Sequence, residues 1–291
     1  MAGVSGTPPF DGDGAWLSGA LSDTPLAFEY HRIAAAFEAT AADVPPFDVR
    51  SHSPETIAKA QSHWLAMMKT EYESAAVFID MAMQVRVIND PLDVQAVVLR
   101  MAQDELRHAA IAARVVTALG AEARIQPAAP RRAPPHRDCG PEESALRAVI
   151  FGCCLSETVN AARLAKRYAE TADPFVKNAF RALLADERLH AQFGFYYLES
   201  RRTWLAARSE VCRSLERYLH FGFAALERQM GAVPIDAEPL TDAERAIGLP
   251  DLTELSQTFQ ETMLNACIPG LARFGLDALG AWQARSLAPR E

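Results

Sequence analysis

The sequence lacks the features that mark several large classes of protein. Its five cysteines form no C-x-x-C pair, so no zinc-ribbon or rubredoxin-like module is expected. Their odd number, without a secretory hydrophobic segment, predicts reduced thiols and a cytoplasmic location. Basic residues are outnumbered by acidic ones, with 29 Lys and Arg against 37 Asp and Glu. The resulting net charge of -8 would repel the phosphate backbone, so we expect no nucleic-acid partner. No run of about 18 uncharged apolar residues occurs, so we expect no membrane span.

Alternating β-branched runs, which are typical of strands, are missing as well. Apolar residues instead recur at helical spacing between Pro and Gly clusters, which predicts an all-α fold for the 291-residue chain. Ser53-Pro54, Asp90-Pro91 and Asp173-Pro174 each place an N-cap residue before a first-turn proline. We expect helices, each with a boundary error of a few residues, over roughly 27–42, 53–88, 91–120, 141–171, 174–207, 208–231 and 253–276.

The predicted helices divide into a core and two flanking segments. Residues 1–25 mix Gly, Pro, Ser and Asp without periodicity, which predicts a flexible arm. Residues 26–207 are predicted to form the core, in which four long helices make two hairpins. The four prolines of residues 126–140 cannot continue a helix, and they indicate one long crossover between the two hairpins. Residues 208–291 are predicted to form helices packed on this core, which could cap it, form a substrate pocket or mediate a homodimer.

One motif, D-E-x-x-H, occurs twice, once in each predicted hairpin. The two copies are Asp104-Glu105-Leu106-Arg107-His108 and Asp186-Glu187-Arg188-Leu189-His190. Residues three apart lie on one helical face, so each copy presents a carboxylate and an imidazole side by side. Both pairs fall on the apolar stripes of their helices, which predicts that they point into the core.

The other two core helices each supply one more carboxylate on an apolar stripe. Glu71 lies on the stripe before the first motif, whereas Glu73 lies about 200° away around the helix and is expected to be exposed. Glu157 lies on the stripe before the second motif. Glu71 precedes Glu105 by 34 residues and Glu157 precedes Glu187 by 30. Each separation lets the chain run along one helix, turn, and run back along the next helix, so that the two glutamates lie at the same level of the hairpin.

This combination of side chains predicts a metal centre. Buried carboxylates without compensating charge cost several kcal/mol each, and metal ions supply that charge compactly. Six oxygen and nitrogen ligands with open positions suit Fe(II) or Mn(II), and the lack of thiolates argues against structural zinc. The alternative is a pair of buried Glu–His hydrogen bonds without a metal.

The set Glu71, Glu105-x-x-His108, Glu157 and Glu187-x-x-His190 resembles the carboxylate-bridged di-iron proteins of the ferritin-like superfamily over roughly residues 53–207. The stretches TEYESAAVF, AQDELRHA, CCLSETVNAARLAKR and ADERLHAQFG are similar to an uncharacterised bacterial group of ferritin-like domain proteins. The resemblance implies a ferritin-like four-helix bundle with one long crossover, holding two Fe ions or Mn at one or both positions.

The resemblance also implies individual roles. One metal would be held by Glu71 and His108, the other by Glu157 and His190, and the bridges would be Glu105 and Glu187. Asp104 and Asp186 would hold the imidazole N–H groups, with Arg107 paired to one of them. No catalytic residue beyond the metal ligands is implied.

For activity, the resemblance implies a di-iron oxidoreductase that uses O2 to hydroxylate, N-oxygenate or desaturate a small organic substrate, with electrons from a separate reductase. Members that store a radical typically have a tyrosine where Ala112 stands, and the N-oxygenases add a histidine where Leu183 stands. Peroxide-reducing members usually carry an iron module with four cysteine ligands, for which this chain has no C-x-x-C pair. The alternatives are an iron-binding protein or ferroxidase, and a non-catalytic scaffold.

Overall fold

The computed structural model describes residues 17–18, 44–126, 136–231 and 239–285, and these residues are mostly helical. The all-α prediction is therefore confirmed. The predicted helix at 27–42 lies outside the described residues, as does the predicted N-terminal arm apart from Leu17 and Ser18. Strand β1 (Leu17–Ser18) pairs in antiparallel fashion with β2 (Arg124–Ile125), with Leu17 opposite Ile125.

Four long helices form the centre of the molecule. They are α1 (Pro54–Val87), α2 (Leu92–Ala118), α3 (Pro141–Glu170) and α4 (Pro174–Ser200). The shorter helices that follow are α5 (Arg202–Ala206), α6 (Ser209–Leu226), α7 (Asp242–Ala246), α8 (Leu252–Thr262), α9 (Ile268–Ala272) and α10 (Ala278–Ala284). A 3-10 turn at Val49–Ser51 precedes α1. Three π-helical segments lie at Ile150–Glu157 inside α3, at Glu227–Gly231 after α6 and at Met263–Cys267 between α8 and α9.

Two of the three predicted N-caps are confirmed. The side chains of Ser53 and Asp173 accept hydrogen bonds from the backbone N–H groups of the first turns of α1 and α4. Asp90 is different, because α2 begins after Pro91 without a side-chain cap. Asp90 instead accepts a hydrogen bond from the Tyr197 hydroxyl at 2.8 Å and pairs with Arg201, so it ties the α1–α2 turn to the end of α4.

The four long helices pair as two hairpins. Helix α1 packs along α2, α3 packs along α4, and the hairpins meet where α2 contacts α4 and where α1 contacts the first turns of α3. The apolar side chains form two clusters, one around Phe78, Met101 and Leu146 and the other around Trp64, Val116 and Phe180. Each cluster draws side chains from all four helices, so the core is divided along its length into two apolar layers.

Helix α3 is the only described helix that is long and apolar enough to cross a membrane by length and composition. Two-thirds of its apolar window, 67%, is buried inside the protein. Its first turns contact α1 and α6, and its last turns contact α8. These contacts are those of a core helix covered by protein on several sides.

Gly194 sets how closely α3 approaches α4. A Cβ atom at this position would lie 2.8 Å from the backbone nitrogen of Cys154 and 2.7 Å from its Sγ atom. Because a backbone atom cannot move aside, we expect Gly194→Ala to lower the free energy of unfolding by about 1–3 kcal/mol, measured by urea denaturation.

The matched control is Gly140→Ala at the start of α3. There a Cβ would meet only a carboxylate oxygen of Glu142 at 3.8 Å, so the expected loss is below about 1 kcal/mol. Equal losses in the two variants would contradict the close approach of α3 and α4.

Candidate metal centre

The six predicted ligands come together in a polar layer between the two apolar clusters. Helix α1 contributes Glu71, α2 contributes Glu105 and His108, α3 contributes Glu157, and α4 contributes Glu187 and His190. Both histidines are fully buried, and Glu71, whose side chain is 15% exposed, is the most accessible of the six. The layer is therefore shielded from water by apolar side chains above and below it.

The ligand atoms form two groups that share two carboxylates. One group is Glu71, Glu105, His108 and Glu187; the other is Glu105, Glu157, Glu187 and His190. Within each group the ligand atoms lie within 4.8 Å of one another, so either group could hold a metal ion. Glu105 and Glu187 belong to both groups, and each therefore lies between two potential cation positions.

The distances show how the carboxylates face the imidazoles. Glu187 turns Oε1 toward Nδ1 of His108, at 3.5 Å, and Oε2 toward Nδ1 of His190, at 3.6 Å. Oε1 of Glu105 lies 3.7 Å from Nδ1 of His108 and 3.3 Å from Nδ1 of His190. Oε2 of Glu71 lies 3.5 Å from Nδ1 of His108.

Four of these buried atoms have no hydrogen-bond partner in the described part of the chain. They are Oε1 of Glu105, Nδ1 of His108, Oε2 of Glu187 and Nδ1 of His190. Buried polar atoms are nearly always hydrogen-bonded, so four unpaired atoms that face one another require an explanation. Because all four are good ligands for a divalent cation, a metal between them would satisfy them together.

The pKa values of the buried glutamates also indicate that the centre lacks positive charge. Burial raises the pKa of Glu105 to about 8, and the nearby charges of Glu71 and Glu157 add to the rise. Burial and the adjacent Glu187 carboxylate raise the pKa of Glu157 well above its usual value. Without cations, both carboxyl groups therefore keep their protons to a higher pH than an exposed glutamate does.

The two imidazoles also bind protons more strongly than usual. Burial alone lowers the pKa of His108 and of His190, because it disfavours the charged form. The surrounding carboxylates outweigh burial, and the pKa of both histidines lies well above its ordinary value. Metal ions and protons therefore compete for the same buried atoms.

Each histidine also contacts the aspartate of the other motif. Nε2 of His108 lies 3.2 Å from Oδ2 of Asp186, and Nε2 of His190 lies 3.5 Å from Oδ2 of Asp104. An aspartate at Nε2 favours the tautomer that carries its proton there, which leaves Nδ1 free to bind a cation. The crossed pairing between α2 and α4 holds both rings in orientation.

Arg107 lies between the two aspartates. Its Nη2 atom donates to Oδ1 of Asp104 at 2.7 Å and to Oδ2 of Asp186 at 2.5 Å, so it pairs with both rather than with one as predicted. Arg100, on the surface, also donates to Asp104 at 2.7 Å. Burial raises the pKa of each aspartate, but the histidine hydrogen bonds and the arginine charges outweigh it and hold both values below the usual range.

We expect Arg107→Gln to weaken metal binding, because the variant removes the donor that holds both aspartates. Loss of such a supporting contact typically lowers metal affinity by about 10- to 100-fold. Equilibrium titration of the metal-free protein with Mn(II) measures the change. The control is Arg188→Gln, an exposed arginine on α4, and equal affinities in the two variants would argue against a positioning role for Arg107.

Glu157 is the last residue of the π-helical segment in α3. Its Oε2 atom accepts a hydrogen bond from Nδ2 of Asn160 at 3.2 Å. Burial and then the neighbouring Cys154 raise the pKa of the Cys153 thiol, and the nearby charges of Glu157, Glu105 and Glu187 raise it further. Segments of π-helix are frequent at functional sites, where they change the face on which a side chain emerges.

The prediction that Glu73 is exposed was wrong. Its side chain is buried, and Oε1 lies 3.9 Å from Nζ of Lys69. Helix α1 is covered by α2, α3 and β2, so more than one of its faces is enclosed. Glu73 nevertheless belongs to neither group of potential metal ligands.

The sequence reasoning missed two polar side chains that hydrogen-bond to residues of the centre, namely Arg100 and Asn160. They lie four residues before Asp104 and three after Glu157, a spacing at which helical side chains meet. That spacing was the available signal for them. Comparison of the chain with protein-family models, with curated proteins and with solved structures found no match, so the function is inferred from the geometry of this centre.

Proposed function

We propose that the protein is a non-haem di-iron oxidoreductase that uses O2 to oxidise a small organic molecule. The observation that supports this most strongly is the convergence of four unpaired buried ligand atoms on two groups that share Glu105 and Glu187. Two cations between shared carboxylates, with nitrogen and oxygen ligands and no thiolate, fit Fe(II) and also Mn(II). The pairing of α1–α2 with α3–α4 supports the ferritin-like arrangement as part of the same proposal.

The individual ligands have distinct roles in this proposal. Glu71 and His108 would hold one metal, Glu157 and His190 would hold the other, and Glu105 and Glu187 would serve both positions. A pair of Fe(II) ions held by these residues would supply electrons for the reduction of O2. Asp104 and Asp186, fixed by Arg107, keep the N–H of each imidazole on Nε2 and so keep Nδ1 directed at the centre.

The surrounding apolar layers keep water away from the reaction. Phe78 contacts the His190 ring, with ring centroids 5.3 Å apart, and Ala112 is fully buried one turn after His108. A dry, low-dielectric site protects a reactive oxidant and strengthens the electrostatic contacts around it. We propose that a separate reductase supplies the electrons for repeated turnover.

The test is anaerobic loading with Fe(II), followed by rapid mixing with O2. We expect about two Fe(II) to be oxidised per chain, after which O2 uptake stops until a reductant is added. Glu187→Ala should abolish the uptake, and Glu210→Ala, an exposed glutamate on α6, should leave it unchanged.

The same experiment separates the proposal from its alternatives. Oxidation of many added Fe(II) per chain would show a ferroxidase instead of an oxygenase. A native protein that binds no metal would show a scaffold. Acceleration of reductant-dependent O2 uptake by an organic compound is the result that supports oxidation of a small molecule.

A further inference from the structure

The outer face of helices α2 and α4 carries exposed apolar side chains. Leu106 is 45% exposed on α2, and Leu189 and Tyr196 are 59% and 69% exposed on α4. Leu99, also exposed, lies seven residues before Leu106 and therefore shares its side of α2. Large apolar side chains that lie together on a surface mark an interaction site more often than isolated ones do.

These four side chains lie side by side because the two helices run antiparallel. The crossed contacts between the aspartates and histidines of the two motifs fix the register of α2 against α4. At the same rise per residue, this register places Leu106 at the level of Leu189 and Leu99 at the level of Tyr196. The side chains therefore form two pairs on one surface, separated along the helices by about 10 Å.

The charges around these side chains are all positive. In residues 96–117 of α2 and 175–198 of α4, every charged side chain that is exposed or half-buried belongs to arginine or lysine. The acidic side chains of the two segments are buried at the metal centre. Because the whole chain has a net charge of -8, this face has the opposite sign from the protein as a whole. The basic side chains are Arg100, Arg107, Arg114, Lys177, Arg181 and Arg188.

The composition of this surface fits a protein partner. Arginine and tyrosine are enriched among the residues that contribute most to binding in protein interfaces, whereas acidic residues are depleted there. A partner with acidic residues around an apolar patch would complement the surface in both charge and polarity. We call this surface the basic face, and it consists of Leu99, Arg100, Leu106, Arg188, Leu189 and Tyr196.

Other occupants fit the basic face less well. A second copy of the chain, related by a twofold axis through the face, would bring its arginines against the same arginines. Nucleic acid would be held through its phosphates, which offer nothing to the exposed leucines, and the net charge of the chain would repel it. An acidic protein is therefore the occupant that the charges and the apolar side chains favour together.

The basic face lies directly outside the candidate metal centre. Arg107, whose side chain is 16% exposed, donates to both aspartates of the motifs, and each aspartate contacts Nε2 of one histidine. Arg100, exposed on the basic face, donates to Asp104 as well. One aspartate therefore separates each imidazole from a guanidinium group at the surface. A redox group held against this face would be close to the centre.

We propose that the basic face is the docking surface of an acidic electron-carrier protein. The proposal names the partner of the oxidoreductase described above and rests on that function. In each turnover, two molecules of a one-electron carrier would each lose one electron, and the two electrons would return two Fe(III) to two Fe(II). No covalent bond would form between the two proteins, and the carrier would leave after each transfer.

The test measures binding of the metal-free protein to a plant-type ferredoxin, a one-electron iron–sulfur carrier, chosen for an acidic surface. We expect calorimetry to show binding at about 20 mM salt and an affinity at least about tenfold lower at about 0.5 M salt, because salt screens exposed charges. Absence of binding, or an affinity independent of salt, would overturn the proposal.

This experiment is independent of iron loading, because the protein carries no metal in it. Ferredoxin binding together with a failure to bind iron would contradict the oxidoreductase, and with it the electron-transfer role of the contact. O2 uptake by the iron-loaded protein without ferredoxin binding would contradict the docking surface alone.

Matched variants locate the contact. Arg188→Glu should weaken ferredoxin binding by at least about tenfold, whereas Arg217→Glu, at an exposed arginine on α6, should leave it nearly unchanged. Tyr196→Ala should also weaken binding by at least about tenfold, and Phe221→Ala, at an exposed aromatic residue on α6, should not. All four side chains are exposed, so the melting temperatures should stay near the native value. Equal affinities within either pair would overturn the proposal.

Two further measurements test the other occupants. Sedimentation would assign the basic face to a second copy if the native protein were a dimer that Tyr196→Ala dissociates. Titration with a DNA duplex of about 20 base pairs would assign it to nucleic acid if the duplex bound and Arg188→Glu abolished that binding. We expect neither result, and either one would overturn docking of an electron carrier at this face.

Discussion

The variant Glu187→Ala should lose both metal ions, whereas Glu71→Ala should lose one. Glu187 directs one oxygen toward His108 and the other toward His190, so its loss would take a ligand from both proposed cation positions. Glu71 belongs to one group only. We therefore expect metal analysis to give about two ions per chain in the native protein, about one in Glu71→Ala and close to none in Glu187→Ala.

The affinities should follow the same order. Loss of a contact that merely supports a ligand lowers metal affinity by about 10- to 100-fold. Loss of a shared ligand should therefore lower the metal affinity of both proposed positions by more than about 100-fold. Glu105→Ala should behave like Glu187→Ala, and Glu157→Ala like Glu71→Ala. The exposed Glu210→Ala is the control and should retain the native content. Loss of one ion in every variant would contradict two cation positions joined by shared carboxylates.

The convergence of the six side chains could be predicted because helical periodicity determines which side chains share a face. Glu105 and His108 are three residues apart on an apolar stripe, and the same spacing joins Glu187 to His190. Separations of 34 residues from Glu71 to Glu105 and of 30 residues from Glu157 to Glu187 then placed Glu71 and Glu157 at the height of the motifs. Local geometry and chain length were therefore enough to bring six side chains to one layer.

Contacts between distant segments could not be predicted in this way. The crossed pairing of Asp104 with His190 and of Asp186 with His108 depends on how α2 packs against α4. Arg167 lies off the apolar stripe of α3, yet it is buried because the loop around Gly248 covers that face. Periodicity identifies one buried face of a helix, whereas the C-terminal helices enclose a second.

The metal-free protein should lose stability as the pH rises from 5 to 8. Burial holds the pKa of Glu105 near 8 in the folded state, whereas the unfolded value is the ordinary one of about 4.3. The folded state therefore binds more protons across this range, and each excess proton lowers the free energy of unfolding by about 1.4 kcal/mol per pH unit. His108 and His190, with raised pKa values, act in the same direction above about pH 6.5.

The metal-loaded protein should show the opposite dependence. Cations bind the deprotonated carboxylates and the neutral imidazoles, so each proton released on binding raises metal affinity by about tenfold per pH unit. Because a bound metal stabilises the folded state by an amount that grows with the logarithm of its affinity, the melting temperature with Mn(II) should rise from pH 5 to 8. Thermal denaturation of both forms at several pH values measures the two slopes.

Two variants show whether the buried cluster is the source of both slopes. Glu105→Gln should flatten the pH dependence of the metal-free protein, because the variant carries no titrating group at this position. It should also weaken the stabilisation by Mn(II) at pH 8, since an amide is a poorer ligand than a carboxylate. Glu210→Gln, on the surface, should preserve both slopes. Parallel slopes for the metal-free and metal-loaded native protein would mean that protons and cations do not compete for these six side chains, because competition makes the slope of the metal-loaded protein more positive than that of the metal-free protein.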